Sequence, residues 1–125
     1  MEFSRSLKAN HLFRRLYQKG RSSANKYLVL YCRKNNSGEN RVGYTVSAKL
    51  GHAVVRNRVR RRLREIYRLH EGQFQPGWDL VVVARSRAVD APYQKLENAY
   101  LSLAGKLGVL RKEEAEVETS PAQAD

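Results

Sequence analysis

Residues 53–70 constrain the fold more than any other stretch of this 125-residue chain. Val55, Val59, Leu63, Ile66 and Tyr67 recur at helical spacing and make a single apolar stripe. Seven arginines, at 56, 58, 60, 61, 62, 64 and 68, crowd into the same helix with one acid, Glu65. On a helical wheel with Val55 at zero, the stripe centres near about 50°. Asn57, Arg60, Arg61, Arg64 and Arg68 then fall between about 140° and 240°, opposite the core, with Arg58, Arg62 and Glu65 flanking them. Arg60 stacks on Arg64, and Arg64 on Arg68, with nothing in the spacing to offset them. Like charges at i,i+4 cost a helix roughly 0.2–0.5 kcal/mol per pair. A solubilising face would mix signs and use lysine. Arginine suits a face whose planar forks meet phosphate oxygens two at a time. The plain alternative is a solvated charge run. A calmodulin-like or membrane-surface helix fits less well, because the apolar side is β-branched core material without Trp or Phe.

Charge carries the same message across the chain. There are 24 Lys and Arg against 12 Asp and Glu, a formal net charge of +12. Five of the acids (Glu113, Glu114, Glu116, Glu118 and Asp125) follow Lys112, and no base does. Residues 1–112 therefore hold 24 bases and 7 acids, a balance of +17. Such a field calls for a polyanion: nucleic acid first, an anionic membrane surface second. At 42% hydrophobic residues the chain can still build a core. One cysteine, Cys32, makes no internal disulfide, and no Cys/His grouping has zinc spacing. A reducing cytosol is the expected compartment. The first ten residues lack the apolar run of a signal peptide, and no apolar run reaches membrane-spanning length.

The remaining elements are shorter. Residues 10–19 read as a helix with Asn10 as N-cap and Gly20 at C′; Leu12 and Leu16 face inward, Phe13 and Tyr17 lie on the stripe's edge. A short extra strand is expected near 21–25. Residues 27–33 read as a strand with Tyr27, Val29 and Tyr31 on one face and Leu28, Leu30 and Cys32 on the other. A turn at 35–38 leads to a returning strand, 41–47, so the two are predicted to form a hairpin. Val42, Tyr44 and Val46 share one of its faces; Gly43, Thr45 and Ser47 share the other, which suits close helix packing or the floor of a groove. Residues 80–84 read as a strand buried on both faces, and Pro92 opens a third helix carrying Tyr93, Leu96, Tyr100, Leu103 and Leu107. The coarse order is α-β-β-α-β-α, an α/β sandwich with a small sheet. Two parts are expected: an RNA-binding domain over 1–112 and an acidic disordered tail over 113–125.

Phe13, Tyr17 and Tyr31 meet if the first helix packs over the strand face bearing Val29 and Tyr31. Aromatic rings beside a basic field are what single-stranded nucleic acid stacks on; ordinary core packing accounts for the same spacing. Catalytic sets are missing. His11, His52 and His70 are scattered and suit surface or RNA-contacting roles, and the acids before residue 112 show no paired spacing for a nuclease metal site. No P-loop or nucleophile elbow is present.

Lys49-Leu50-Gly51-His52-Ala53-Val54-Val55-Arg56-Asn57-Arg58-Val59-Arg60-Arg61-Arg62-Leu63-Arg64-Glu65 resembles the signature of the bacterial ribonuclease P protein family. The likeness extends over roughly residues 5–110: Leu7-Lys8 with Phe13, Tyr17 and Gly20, then Leu28 to Tyr31, Arg41 to Ser47, and Asp79 to Arg85. Tyr17 stands where a phenylalanine is also common in the family. The resemblance implies a single-domain two-layer α/β sandwich ordered α-β-β-β-α-β-α. Its small mixed sheet would carry a left-handed βαβ crossover, against the right hand of about 98% of such units. It also implies the protein subunit of a ribonucleoprotein that removes the 5′ leader of precursor tRNA, with the active site in the RNA, Mg²⁺ held mainly by the RNA, and the protein raising affinity for precursor over mature tRNA and supporting metal binding. Lys49, Arg56, Asn57, Arg58, Arg60, Arg61, Arg62, Arg64 and Arg68 would bind the catalytic RNA. Phe13, Tyr17, Val29 and Tyr31 would hold the leader. Two other readings are a non-catalytic module such as a ribosome-associated protein, and a protein-only nuclease.

Overall fold

The computed structural model describes residues 4–6 and 10–111, with side chains from residue 13 onward. The expected acidic tail, the Asn10 cap and the side chains of His11 and Leu12 lie outside the described residues. The elements run β1 (Ser4–Ser6), α1 (Asn10–Lys19), β2 (Arg21–Ala24), β3 (Leu28–Lys34), β4 (Asn40–Thr45), α2 (Ala53–His70), β5 (Trp78–Ala84) and α3 (Tyr93–Leu107). From α1 onward this is the expected order α-β-β-β-α-β-α, preceded by the short β1.

The five strands form one mixed sheet in the order β1-β4-β5-β3-β2. The predicted hairpin is not formed. β3 and β4 reverse direction across the turn at 35–39, but β5 is inserted between them. It runs antiparallel to β3 (Leu30 opposite Val82) and parallel to β4 (Val42 opposite Leu80). The reason is burial. Leu80, Val81 and Val82 are fully buried, and a strand covered on both faces has no solvent to satisfy its edges. Two neighbours must do so. The turn follows suit, with the Asn35 amide donating to the Gly77 carbonyl at the entry to β5 (2.9 Å). β4 and β5 are thereby parallel neighbours joined through α2, a βαβ unit.

One face of the sheet carries the main core. Leu28, Leu30, Cys32, Val42, Leu80 and Val82 pack with Val59, Leu63, Ile66 and Tyr67 of α2 and with Leu96, Tyr100 and Leu103 of α3. Sheet and helix pair make the two expected layers. α1 is laid on the opposite face, where Leu16 and Val81 are buried together. Gly20 makes that approach possible. It has no left-handed φ, contrary to the C′ role expected of it; instead, a Cβ there would lie 2.6 Å from the Leu16 carbonyl oxygen and 2.8 Å from that of Cys32. Among the described residues no helix is long and apolar enough to cross a membrane.

Candidate nucleic-acid interface

α2 begins where the wheel placed it, and its entry is shaped by Lys49 to His52. The Ser47 hydroxyl accepts the Lys49 amide (3.2 Å), and Gly51 at φ 144° turns the chain into the helix. Asn57, Arg58, Arg61, Arg64, Arg68 and Lys49 are exposed; Arg56, Arg60 and Arg62 are half-buried. The arginines are not equivalent. Arg56 Nε donates to the Gly51 carbonyl (3.1 Å), and Arg62 Nη1 to that of Ala91 in the loop before α3 (2.8 Å). Both forks therefore brace the fold as well as facing outward. Arg60 is tethered to Asn57 Oδ1 (2.8 Å).

Arg68 is paired with Glu65 (2.6 Å), so the arginine ladder is offset at its last rung, which the spacing did not suggest. The hydrogen bond from Arg68 holds the Glu65 carboxyl below the usual carboxylate range. Lys49, Arg58, Arg61 and Arg64 have no acidic partner among the described residues.

On the other side of the sheet, α1 lies over β3 and β5 and brings the aromatic set together. The Tyr17 and Tyr31 rings meet edge to face, with centroids 4.8 Å apart and planes at 71°. The Tyr17 hydroxyl reaches Thr45 Oγ1 on β4 (3.2 Å). Phe13 and Tyr31 are partly buried against Leu16 and Val81, while Tyr17 is 41% exposed. Val29 is half-buried and stands opposite Val83 in register. Two buried residues carry this cluster, and its rings keep solvent-facing area that ordinary core would lack. Gly43 and Thr45, across from Val81 and Val83, form the small-residue side of the groove.

One row of this face escaped the sequence reading. Arg41, Asp79 and Arg33 lie side by side across β4, β5 and β3. Arg41 grips Asp79 with Nε and Nη2, each at 2.7 Å, and Asn35 adds a bond to the same carboxylate (2.9 Å). A hairpin of β3 and β4 leaves no place for Asp79 between them, so the spacing held no signal for this row.

Two further titratable groups serve the interior of the fold. His70 Nε2 meets Glu97 Oε2 of α3 at 2.8 Å, a bond between two helices that the spacing did not suggest. Cys32 is fully buried, and burial pushes its thiol up, with Arg21 pulling the other way. No group of three His, Cys, Asp or Glu able to hold a metal ion exists among the described residues.

An arginine-faced helix on one side of a small sheet and a half-open aromatic groove on the other are the marks of a nucleic-acid-binding α/β protein. Residues 1–108 match the family model described as Ribonuclease P, and the chain belongs to that family, the protein component of the ribonuclease P ribonucleoprotein. It is 44% identical over 110 residues to the ribonuclease P protein component of Alkaliphilus metalliredigens, covering 88% of this chain and 99% of that protein. Against the same component of Natranaerobius thermophilus it is 43% identical over 107 residues, covering 86% and 93%. The RNase P protein of Staphylococcus aureus superposes with a TM-score of 0.79 at 34% identity, over 85% of this chain and 97% of that one. That of Thermotoga maritima gives 0.72 at 30% identity, over 78% and 92%.

Proposed function

We propose that this subunit holds two RNAs at once: the catalytic RNA of ribonuclease P on α2, and the single-stranded 5′ leader of precursor tRNA in the groove under α1. The observation that carries this reading is the placement of α1 and α2 on opposite faces of one sheet. A phosphate backbone docked on α2 leaves the Tyr17–Tyr31 pair open for a second strand.

On α2, Arg58, Arg61, Arg64 and Lys49 supply unpaired charge, and Arg60 and Asn57 a pre-set fork. Phosphate contacts of this kind position an RNA without reading its sequence. Arg56, Arg62 and Arg68 take part after yielding or sharing an internal bond. In the groove, Phe13, Tyr17 and Tyr31 offer ring faces and Val29 an apolar floor, to which any base can stack. Mature tRNA, having no leader, makes none of these contacts, so the groove favours precursor.

The chemistry belongs to the RNA in this reading. Glu65, Asp79 and Glu97 are each engaged by a base of this chain, and the described residues hold no group of three His, Cys, Asp or Glu that fits a Mg²⁺ site; the metal is assigned mainly to the catalytic RNA. The cytoplasm as site of action, and the left hand of the β4-α2-β5 crossover, are carried over from the family. The test is cleavage of precursor tRNA in Mg²⁺ with and without the catalytic RNA. Cleavage that needs both components is expected. Cleavage by the protein alone makes it the nuclease, and none in either case makes it an RNA-binding module of another kind.

A further inference from the structure

The aromatic groove does not end at Tyr31. Two residues on along β3, one same-face step of about 6.6 Å, stands Arg33, opposite Asp79 and one strand from Arg41. These residues border a cavity of 160 Å³ that Arg15 of α1, Lys34 and Asn35 also line. That is room for several waters or for one small anion with part of its hydration.

Three arginines, Arg15, Arg33 and Arg41, thus line the hollow with one carboxylate, while the Lys34 ammonium lies over the Trp78 ring; the carboxylate is spent. Asp79 is 6% exposed; its Oδ1 accepts from Arg41 Nε and Asn35, and its Oδ2 from Arg41 Nη2. What Asp79 does is hold the Arg41 fork still. Two of the five guanidinium N–H groups are used, and three have no acceptor among the described residues. Neither Arg15 nor Arg33 has an acidic partner among the described residues. An ion-pair cluster that served only the fold would balance its charges. This one keeps an excess of arginine beside a small polar hollow, in line with a row of rings.

We infer that this hollow is a phosphate site, in which Arg33 and Arg41 grip one backbone phosphate of the leader whose neighbouring base lies on Tyr31. Arg15 closes it from α1, and Asp79 is a positioning residue acting through Arg41. The inference rests on the groove being the leader site. It adds a fixed point to an otherwise slippery stacking surface, so that the leader enters in one register.

The test uses holoenzyme assembled from the full chain and the catalytic RNA. A set of precursor tRNAs carries one neutral methylphosphonate at each leader position in turn. One position is expected to weaken binding about tenfold, as the loss of a charge-assisted contact does. In Arg33→Ala holoenzyme the other precursors bind about tenfold less tightly, whereas the precursor neutralised at the sensitive position is weakened no further, so that position no longer stands out. Arg33→Lys, which keeps the charge and the strand, recovers part of the sensitivity. Lys106→Ala, removing the same charge from α3, leaves the scan as in the parent. A flat scan in the parent overturns the site, and so does a sensitive position that persists in Arg33→Ala. If Tyr17→Ala still weakens precursor binding in either case, the groove reading survives without it. Tight binding of inorganic phosphate to the chain, with a flat scan, assigns the hollow to free phosphate and overturns the leader assignment.

Discussion

The outer face of α2 and the groove under α1 are both solvent-facing, yet they rest on the fold differently. α2 stands on Val59, Leu63, Ile66 and Tyr67, none more than 2% exposed, and its arginines project from the other side. Folding and binding are divided between different side chains. Among the described residues, the apolar cluster under α1 has Leu16 and Val81 as its buried members, and the rings that would meet a base are the ones that complete the packing. There, one set of side chains serves both ends. Substitution on α2 therefore separates binding from stability with ease, whereas in the groove only the most exposed ring does so.

The sharpest way to break this contrast is beneath α2. Leu63→Ala should lower stability by about 2–5 kcal/mol, read from the urea midpoint. A change below about 1 kcal/mol would mean that the helix is not seated as described. The matching probe under α1 is Gly20→Ala. The added methyl meets two backbone carbonyls, and such overpacking costs about 1–3 kcal/mol. It should also lower precursor affinity more than mature-tRNA affinity, since it lifts α1 from the sheet. Equal loss for both tRNAs would detach the groove from the leader.

Next comes Tyr17→Ala. A stacked base is worth about 1–3 kcal/mol, so precursor binding should fall roughly tenfold to a hundredfold while mature tRNA and the melting curve barely move. Phe13→Ala, at a half-buried ring, should show the same selectivity plus a measurable loss of stability. If both rings cost stability alone, the groove is core.

Effects on α2 are smaller and show best in salt. Arg61→Ala or Arg64→Ala should leave the melt unchanged and lower the log–log salt slope of catalytic-RNA binding by roughly 0.7–0.9 each. Arg60→Ala should do likewise. Arg68→Ala should do less, because Glu65 already holds that fork, and Glu65→Gln should steepen the slope by freeing it. Equal slopes for Arg61→Ala and Arg68→Ala would show that the ion pair opens without effect on binding.

Much of both regions was legible in the chain. The bounds 10–19 and 53–70 coincide with α1 and α2, because a helix is set by periodicity within its own residues. The meeting of Tyr17 with Tyr31 followed from placing α1 on the Val29–Tyr31 face. Spacing left open whether those rings were core; in the structure Tyr17 is exposed, and Phe13 and Tyr31 are partly buried. The internal bonds of Arg56 and Arg62 were not legible, since their acceptors, the carbonyls of Gly51 and Ala91, are backbone groups of loops.

What the amino-acid order determined by itself is therefore local: which segments are helix or strand, which side of each is apolar, and that arginine crowds one helix. What tertiary structure alone decided is strand order and everything that hangs on it. β5 is the strand that two neighbours had to flank, and only its insertion between β3 and β4 sets Arg33, Asp79 and Arg41 in one row. Gly20 likewise shows its purpose only against the carbonyl of Cys32, twelve residues away. The physical reason is common to both. Side-chain periodicity is written within a turn or a pleat, whereas edge satisfaction and close backbone approach depend on segments distant in the chain, whose pairing is settled by burial of the whole sheet.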